Sequence, residues 1–91
     1  MAVDWDKLDS RLEEIEGEYP WERTHPHRQI VEAFESYEHS PMSVKEISEN
    51  SDITVGTVAR RTEELSEKGV IEEDGEIGGA QTYSLSSEYL K

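Results

Sequence analysis

Apolar residues near the N-terminus recur with a 3-4-3-4 spacing: Trp5, Leu8, Leu12, Ile15 and Tyr19. This rhythm of a narrow helical seam predicts a helix over residues 4–16, with Asp4 capping its start and Gly17 its end. Two heptads are too short for an independent coiled coil. The seam must therefore pack on something, either the rest of its own chain or its counterpart in a dimer. The connector "EYPWERTHP" follows, with prolines at 20 and 26. Tyr19 and Trp21 are expected to dock on the main body, and Pro26 suits the first turn of a second helix. In that helix Ile30, Val31, Phe34 and Tyr37 mark one face, while Glu32, Glu35 and Glu38 turn away.

Two later helices carry their own start and stop signals. In "PMSVKEISEN", Ser43 and Glu46 form an S-x-x-E capping box, with Met42 and Ile47 as a hydrophobic staple across it. This helix ends near Asn50, and Ser51-Asp52 make a polar turn. Thr54 then suits an N-cap, Ile53 and Val58 a second staple, and Val55, Val58, Thr62 and Leu65 fall on one face toward a core. Gly69 takes the left-handed exit position, with Val70 reaching back to Leu65, so the fourth helix covers residues 55–68. "VIEE" and "TYSLSS" read as short strands, with turn signals between them at Asp74-Gly75 and Gly78-Gly79. Tyr83 and Leu85 alternate with Ser84 and Ser86, as a half-buried strand requires. The chain divides into residues 1–22, an N-terminal helix and connector used for packing or dimerisation, and a main domain over residues 23–91. Its class is mainly α with a small β-hairpin.

Charge changes this picture more than composition does. The 91 residues allow one domain plus an appendage. With 33% hydrophobic and 34% charged residues the chain borders on disorder, and it is the periodicity that argues for folding. Acids outnumber bases 22 to 9, a net charge of −13, spread along every segment as in proteins of salt-saturated cytoplasms such as those of haloarchaea. No cysteine is present, which excludes disulfides and thiolate chemistry. No apolar run approaches the ~20 residues of a membrane helix, and the N-terminus lacks the order of a signal peptide. A soluble, cytoplasmic protein with no membrane partner is expected.

Against this acidity, Arg60 and Arg61 stand side by side, and no acid occurs from Ile53 to Thr62. Three more stretches lack acids: residues 23–31, 39–45 and 77–87. An acid-depleted face suits DNA, whose phosphates repel carboxylates. Pairing of the two arginines with Glu63, Glu64 or Glu67 on the same helix is the plainer alternative, worth a few tenths of a kcal/mol. His25, His27 and His39 read as helix-start and surface histidines, poorly spaced for a metal, although either of the first pair could meet a phosphate. Glu13-Glu14 and Glu63-Glu64 read as solvated faces. There is no nucleophile constellation and no glycine-rich phosphate loop, so no enzymatic activity, cofactor or small-molecule ligand is expected.

The stretch "MSVKEISENSDITVGTVARRTEELSEKGVIEE" resembles the winged helix-turn-helix transcription regulators of bacteria and archaea, of the MarR/ArsR-like kind, here in an acidic, haloarchaeal-type form. The resemblance spans roughly residues 26–87 and implies a winged helix-turn-helix with an extra N-terminal helix. It makes "TVGTVARRTEEL" the recognition helix, lying in the DNA major groove with its N-terminal half toward the bases. Opposite the core-facing Val55, Val58 and Thr62 it would present Gly56, Thr57, Arg60 and Arg61. The DNA contacts so implied are Ser43, Lys45, Thr54, Gly56, Thr57, Arg60, Arg61 and Gln81, with Arg60 favoured for base readout and Arg61 for phosphate. Two departures stand out. Thr62 replaces a larger apolar residue, which thins the core, and the wing is acidic at Glu72, Glu73, Asp74 and Glu76, leaving Gln81 as its strong donor. The partner implied is double-stranded DNA, bound as a homodimer at a palindromic site. The alternative is a protein-interaction adaptor in a transcription or replication complex, which the acidic wing favours. In molar salt the Debye length is only ~3 Å, so affinity would rest on short-range contacts rather than on steering.

Overall fold

Three residues of the N-terminal seam are buried inside their own chain. In the computed structural model, which describes residues 3–18, 25–37 and 41–90, helix α1 (Trp5–Glu16) places Leu8, Leu12 and Ile15 at 0%, 2% and 2% exposure. They share one core cluster with Ile30, Val31 and Phe34 of α2 (Pro26–Ser36) and with residues of every later element. These three side chains leave no apolar surface for a second subunit. Asp4 caps α1 by accepting from the Lys7 N–H, and Gly17 closes it in the right-handed conformation, its N–H bonded to the Glu13 carbonyl. Tyr19, Trp21, Glu38 and His39, to which the sequence pattern assigns places, lie outside the described residues.

Polar contacts fasten α1 to α2 at the rim of this core. Half-buried Trp5 donates through Nε1 to Glu35 Oε2 at 2.9 Å. The Arg28 guanidinium lies 4.8 Å from the centre of the Trp5 ring and pairs with Asp9 and Glu32. The hydrogen bond to Asp9 is the main cause raising the Arg28 pKa above its ordinary value, working against desolvation. The residues just before α1 also meet the last described turn: Val3 forms a bridge with Leu90, and the Asp4 N–H donates to the Tyr89 carbonyl at 2.8 Å. Tyr89 belongs to a short 3-10 turn, Ser87–Tyr89, that the sequence pattern does not predict.

The capping box of the third helix and the glycine exit of the fourth form as local chemistry dictates. Strand β1 (Met42–Ser43) leads directly into α3 (Val44–Ser51). There the Ser43 hydroxyl accepts from the Glu46 N–H at 3.3 Å, while Glu46 Oε1 accepts from the Ser43 N–H at 3.2 Å. The turn after α3 is fixed by Asp52 at φ 60° and by the Ser48 hydroxyl donating to the Ile53 carbonyl. Helix α4 (Val55–Glu67) ends in a Schellman motif: Gly69, at φ 77°, donates to Ser66 O, and Val70 donates to Leu65 O at 2.9 Å. Leu65 and Val70 are both fully buried. Thr62 is buried as well, and its hydroxyl has no hydrogen-bond partner among the described residues.

The β-layer is larger than a hairpin. Strands β2 (Ile71–Ile77) and β3 (Ala80–Leu85) pair antiparallel, and β1 adds to the far side of β3 through Met42↔Tyr83 and Ser43↔Thr82, giving the order β1-β3-β2. The hairpin turns at Gly78-Gly79, both at positive φ (59° and 84°) as the tightest hairpin turns require. Asp74-Gly75 is not a turn. The ladder runs past it with a register shift between Glu73 and Glu76, and Gly75 sits at φ 76° in this bulge. Side chains of the opposite strand satisfy the displaced carbonyls: Thr82 Oγ1 donates to Asp74 O, and Gln81 Nε2 donates to Gly75 O at 2.9 Å. Four α-helices and a three-stranded antiparallel sheet among the described residues thus make the mainly helical architecture that the sequence pattern predicts. Among the described residues, no helix is long and apolar enough to cross a membrane.

Candidate nucleic-acid interface

The adjacent arginines have different fates. Consecutive residues on a helix point about 100° apart, and in α4 this separates solvent from the interior. Arg60 is exposed. Arg61 has a side chain only 11% exposed, and its Nη1 donates to Glu64 Oε1 at 2.8 Å. The other oxygen of Glu64 lies 3.0 Å from Nε2 of His27, whose ring is buried against α4. His27, Glu64 and Arg61 thereby tie α2 to α4 from within. Two expectations are corrected here. The ion-pair reading holds for Arg61, so Arg61 does not stand outward beside Arg60. His27 is a core residue with no access to a phosphate. His25 does lie at the surface, where its Nδ1 is 2.8 Å from Glu16 Oε2.

Val55 requires a further correction. It is the first residue of α4 and is 52% exposed rather than facing the core. It sits one turn ahead of buried Val58, at the start of the helix, where it is only half covered. Thr54 holds the N-cap position but makes no side-chain bond to the helix backbone, and its hydroxyl donates instead to Thr57 Oγ1 at 3.2 Å.

Cation pairing separates the structural charges from the rest. Lys7 pairs with Glu88, Arg11 with Glu14, Arg28 with Asp9, Arg61 with Glu64 and Lys68 with Glu18. Among the described residues Lys45 and Arg60 have no carboxylate partner, and both are exposed on the α3–α4 unit. In a chain of net charge −13, two cations without an ion pair to a described acid are the exception. Gly56 is exposed at the second position of α4, one turn before Arg60. A Cβ built there would meet nothing within 4 Å, and its φ is not positive. Neither packing nor backbone conformation calls for glycine at that point.

Thr54, Thr57 and Arg60 line one cleft, and Lys45 and Gly56 are exposed on α3 and α4, whereas three other expected contacts are engaged elsewhere. Ser43 is buried, with its hydroxyl committed to the capping box. Arg61 is held by Glu64, and Gln81 bridges the wing's own carbonyls, Gly75 O and Thr82 O. Beside α4 lies a cleft of about 320 Å³ walled by Pro26, Gln29, Thr54, Thr57, Arg60 and Arg61, with Asp52 also on its wall. It joins two of the acid-free stretches, residues 23–31 and 53–62. Exposed Val55, which the sequence pattern assigns to the core, and half-buried Gln29, which it does not single out, are the residues it misses here. The lack of acids at the start of α2 is the signal that could have pointed to Gln29.

The hairpin offers the opposite electrostatics. Glu72, Glu73, Asp74 and Glu76 are all exposed, without a cation partner among the described residues, and Ile77 beside the turn is 61% exposed. Burial chiefly, then the charges of Glu73 and Glu63, push the Tyr83 hydroxyl pKa above its ordinary value. Among the described residues no group of His, Asp and Glu could hold a metal ion.

A family model described as winged helix-turn-helix DNA-binding matches residues 27–72, half of the chain. The match runs from α2 through α3 and α4 into β2. No curated protein and no solved structure matches the chain.

Proposed function

The chain belongs to the winged helix-turn-helix DNA-binding family, and we propose that it is a sequence-specific transcriptional regulator that lays α4 in the DNA major groove. The pair of cations without described carboxylate partners, Lys45 and Arg60, carries this reading. In a helix-turn-helix the first helix crosses the DNA backbone and the second enters the groove; Lys45 is on α3 and Arg60 on α4. Arg60 has the reach and fork geometry for guanine O6 and N7, a contact worth ~1–3 kcal/mol of discrimination. Lys45 serves a phosphate. Thr54 and Thr57 offer hydroxyls at the helix start, and Gly56 lets the backbone approach the base edges closely. Arg61 acts from behind, holding Glu64 and with it the seat of α4.

The acidic hairpin takes little part in holding phosphate, so binding depends on few charges. Each neutralised phosphate contributes about −0.9 to the slope of log affinity against log salt. A shallow slope, about −1 per copy for the one phosphate met by Lys45, is expected. Such an interface and the dispersed surface acids suit the salt-rich cytoplasm of a haloarchaeal, MarR/ArsR-like regulator. Two copies binding as a homodimer would set their recognition helices about 34 Å apart on a palindromic site. With the seam of α1 inside the core, the subunit contact falls on other surface.

The test is a DNA titration at low and high salt with wild type, Arg60→Ala, Lys45→Ala and, as a control, Lys7→Ala. Arg60→Ala should lose sequence preference, Lys45→Ala should weaken binding to all sequences, and Lys7→Ala should behave as wild type. Undiminished binding in both Arg60→Ala and Lys45→Ala would refute the reading. The exposed acids and Ile77 of the hairpin favour a second reading, a protein-interaction adaptor. That reading predicts that charge reversal at Glu72 and Glu73 abolishes partner capture while Arg60→Ala does not.

A further inference from the structure

We propose that Val55 and Ala59 form an apolar contact for the C5-methyl group of thymine, on the flank of α4 opposite the cleft, adding thymine readout beside the base that Arg60 meets. The inference rests on the major-groove reading given above. Val55 is a large apolar side chain, 52% exposed and outside the core. Ala59, one turn later, is exposed too. At about 100° per residue the two lie about 40° apart around the helix, whereas Arg60 stands about 140° and Thr57 about 160° from Val55. Helix α4 therefore has two unlike flanks. Thr57 and Arg60 border the polar cleft, and Val55 and Ala59 make the other side.

Gly56 separates the flanks, and nothing lies within 4 Å of where its Cβ would be. The ridge of the helix is lowest there. A helix seated in the major groove turns one flank to each strand. Thymine alone presents a methyl group there, and apolar side chains are its contacts, while an arginine fork matches guanine. The arrangement thus pairs guanine readout on one flank with thymine readout on the other. No acid from Ile53 to Thr62 opposes the approach.

The experiment selects a binding site from random duplexes with the full chain, then replaces each thymine of that site by deoxyuridine in turn. Removing one well-buried methyl should lower wild-type affinity about fourfold at one or more positions. The same replacement should be neutral for Val55→Ala, whose melting temperature should match wild type because the side chain is outside the core. Failure to enrich any sequence would overturn the major-groove reading and this inference with it. Enrichment with every deoxyuridine neutral, or a loss that persists in Val55→Ala, would overturn the inference alone.

Discussion

Replacing Gly56 by alanine should move stability and DNA affinity in opposite directions. Glycine inside a helix costs about 0.8–1 kcal/mol relative to alanine, and somewhat less in the first turn. The added methyl meets no atom within 4 Å, and the backbone is already in a conformation that alanine accepts. A gain of about 0.5 kcal/mol follows, or about 2–4 °C in melting temperature for a domain of this size. On DNA the same methyl stands between the helix backbone and the base edges. Pushing the helix outward should loosen the fork of Arg60, so a loss of about tenfold, roughly 1.4 kcal/mol, is expected. Thermal melting by circular dichroism and a fluorescence-anisotropy titration on one preparation measure both effects. A variant that is stabilised yet binds DNA undiminished would refute Gly56 as a point of close approach. A variant less stable than wild type would refute the open space assigned to its Cβ.

Three further outcomes follow from the packing. Thr62→Val keeps the shape of a fully buried side chain but removes a hydroxyl without a described partner, so chemical denaturation should show a gain of about 1 kcal/mol. Leu12→Ala should cost about 2–5 kcal/mol, as a large core truncation does, without altering the association state seen by sedimentation; a shift to smaller species without destabilisation would put the seam between subunits. The raised pKa of Tyr83, due first to burial and then to Glu73 and Glu63, links stability to alkaline pH. A tyrosine pKa raised on folding leaves stability intact below the ordinary value near 10.0. Stability then falls as pH climbs through the raised value, because the unfolded chain releases its proton first. Tyr83→Phe should therefore flatten the alkaline limb of the stability curve, and an unchanged limb would contradict that origin.

Features fixed by neighbours along the chain were readable from sequence, and features fixed across the fold were not. The box of Ser43 and Glu46, the exit at Gly69 and Val70, and the tight turn at Gly78-Gly79 each involve residues a few positions apart. Strand β1 exists only because Met42 and Ser43 pair with Tyr83 and Thr82. The bulge at Gly75 forms in place of a turn because Thr82 and Gln81, on the other strand, bind the displaced carbonyls. The candidate site divides in the same way. That α4 would carry an acid-free start was legible in the chain. Which arginine remains outside depended on Glu64, and Glu64 is oriented by His27 on a distant helix. Periodicity placed Val55 with the core, but it could not show that the core stops short of the helix tip.

Arg11 donates through Nη2 to the Lys68 carbonyl at 3.1 Å, at the far end of α4, while Lys68 reaches back to Glu18. Helix α1 lies outside the stretch matched by the family model, yet it holds the rear of the helix whose front faces outward. The pitch of α4 relative to the domain is thus set jointly by α2 at its middle and α1 at its tail. A change in residues 5–16 that left the core intact could still swing the tip through an arc, redirecting Val55, Gly56 and Arg60 without touching any of them.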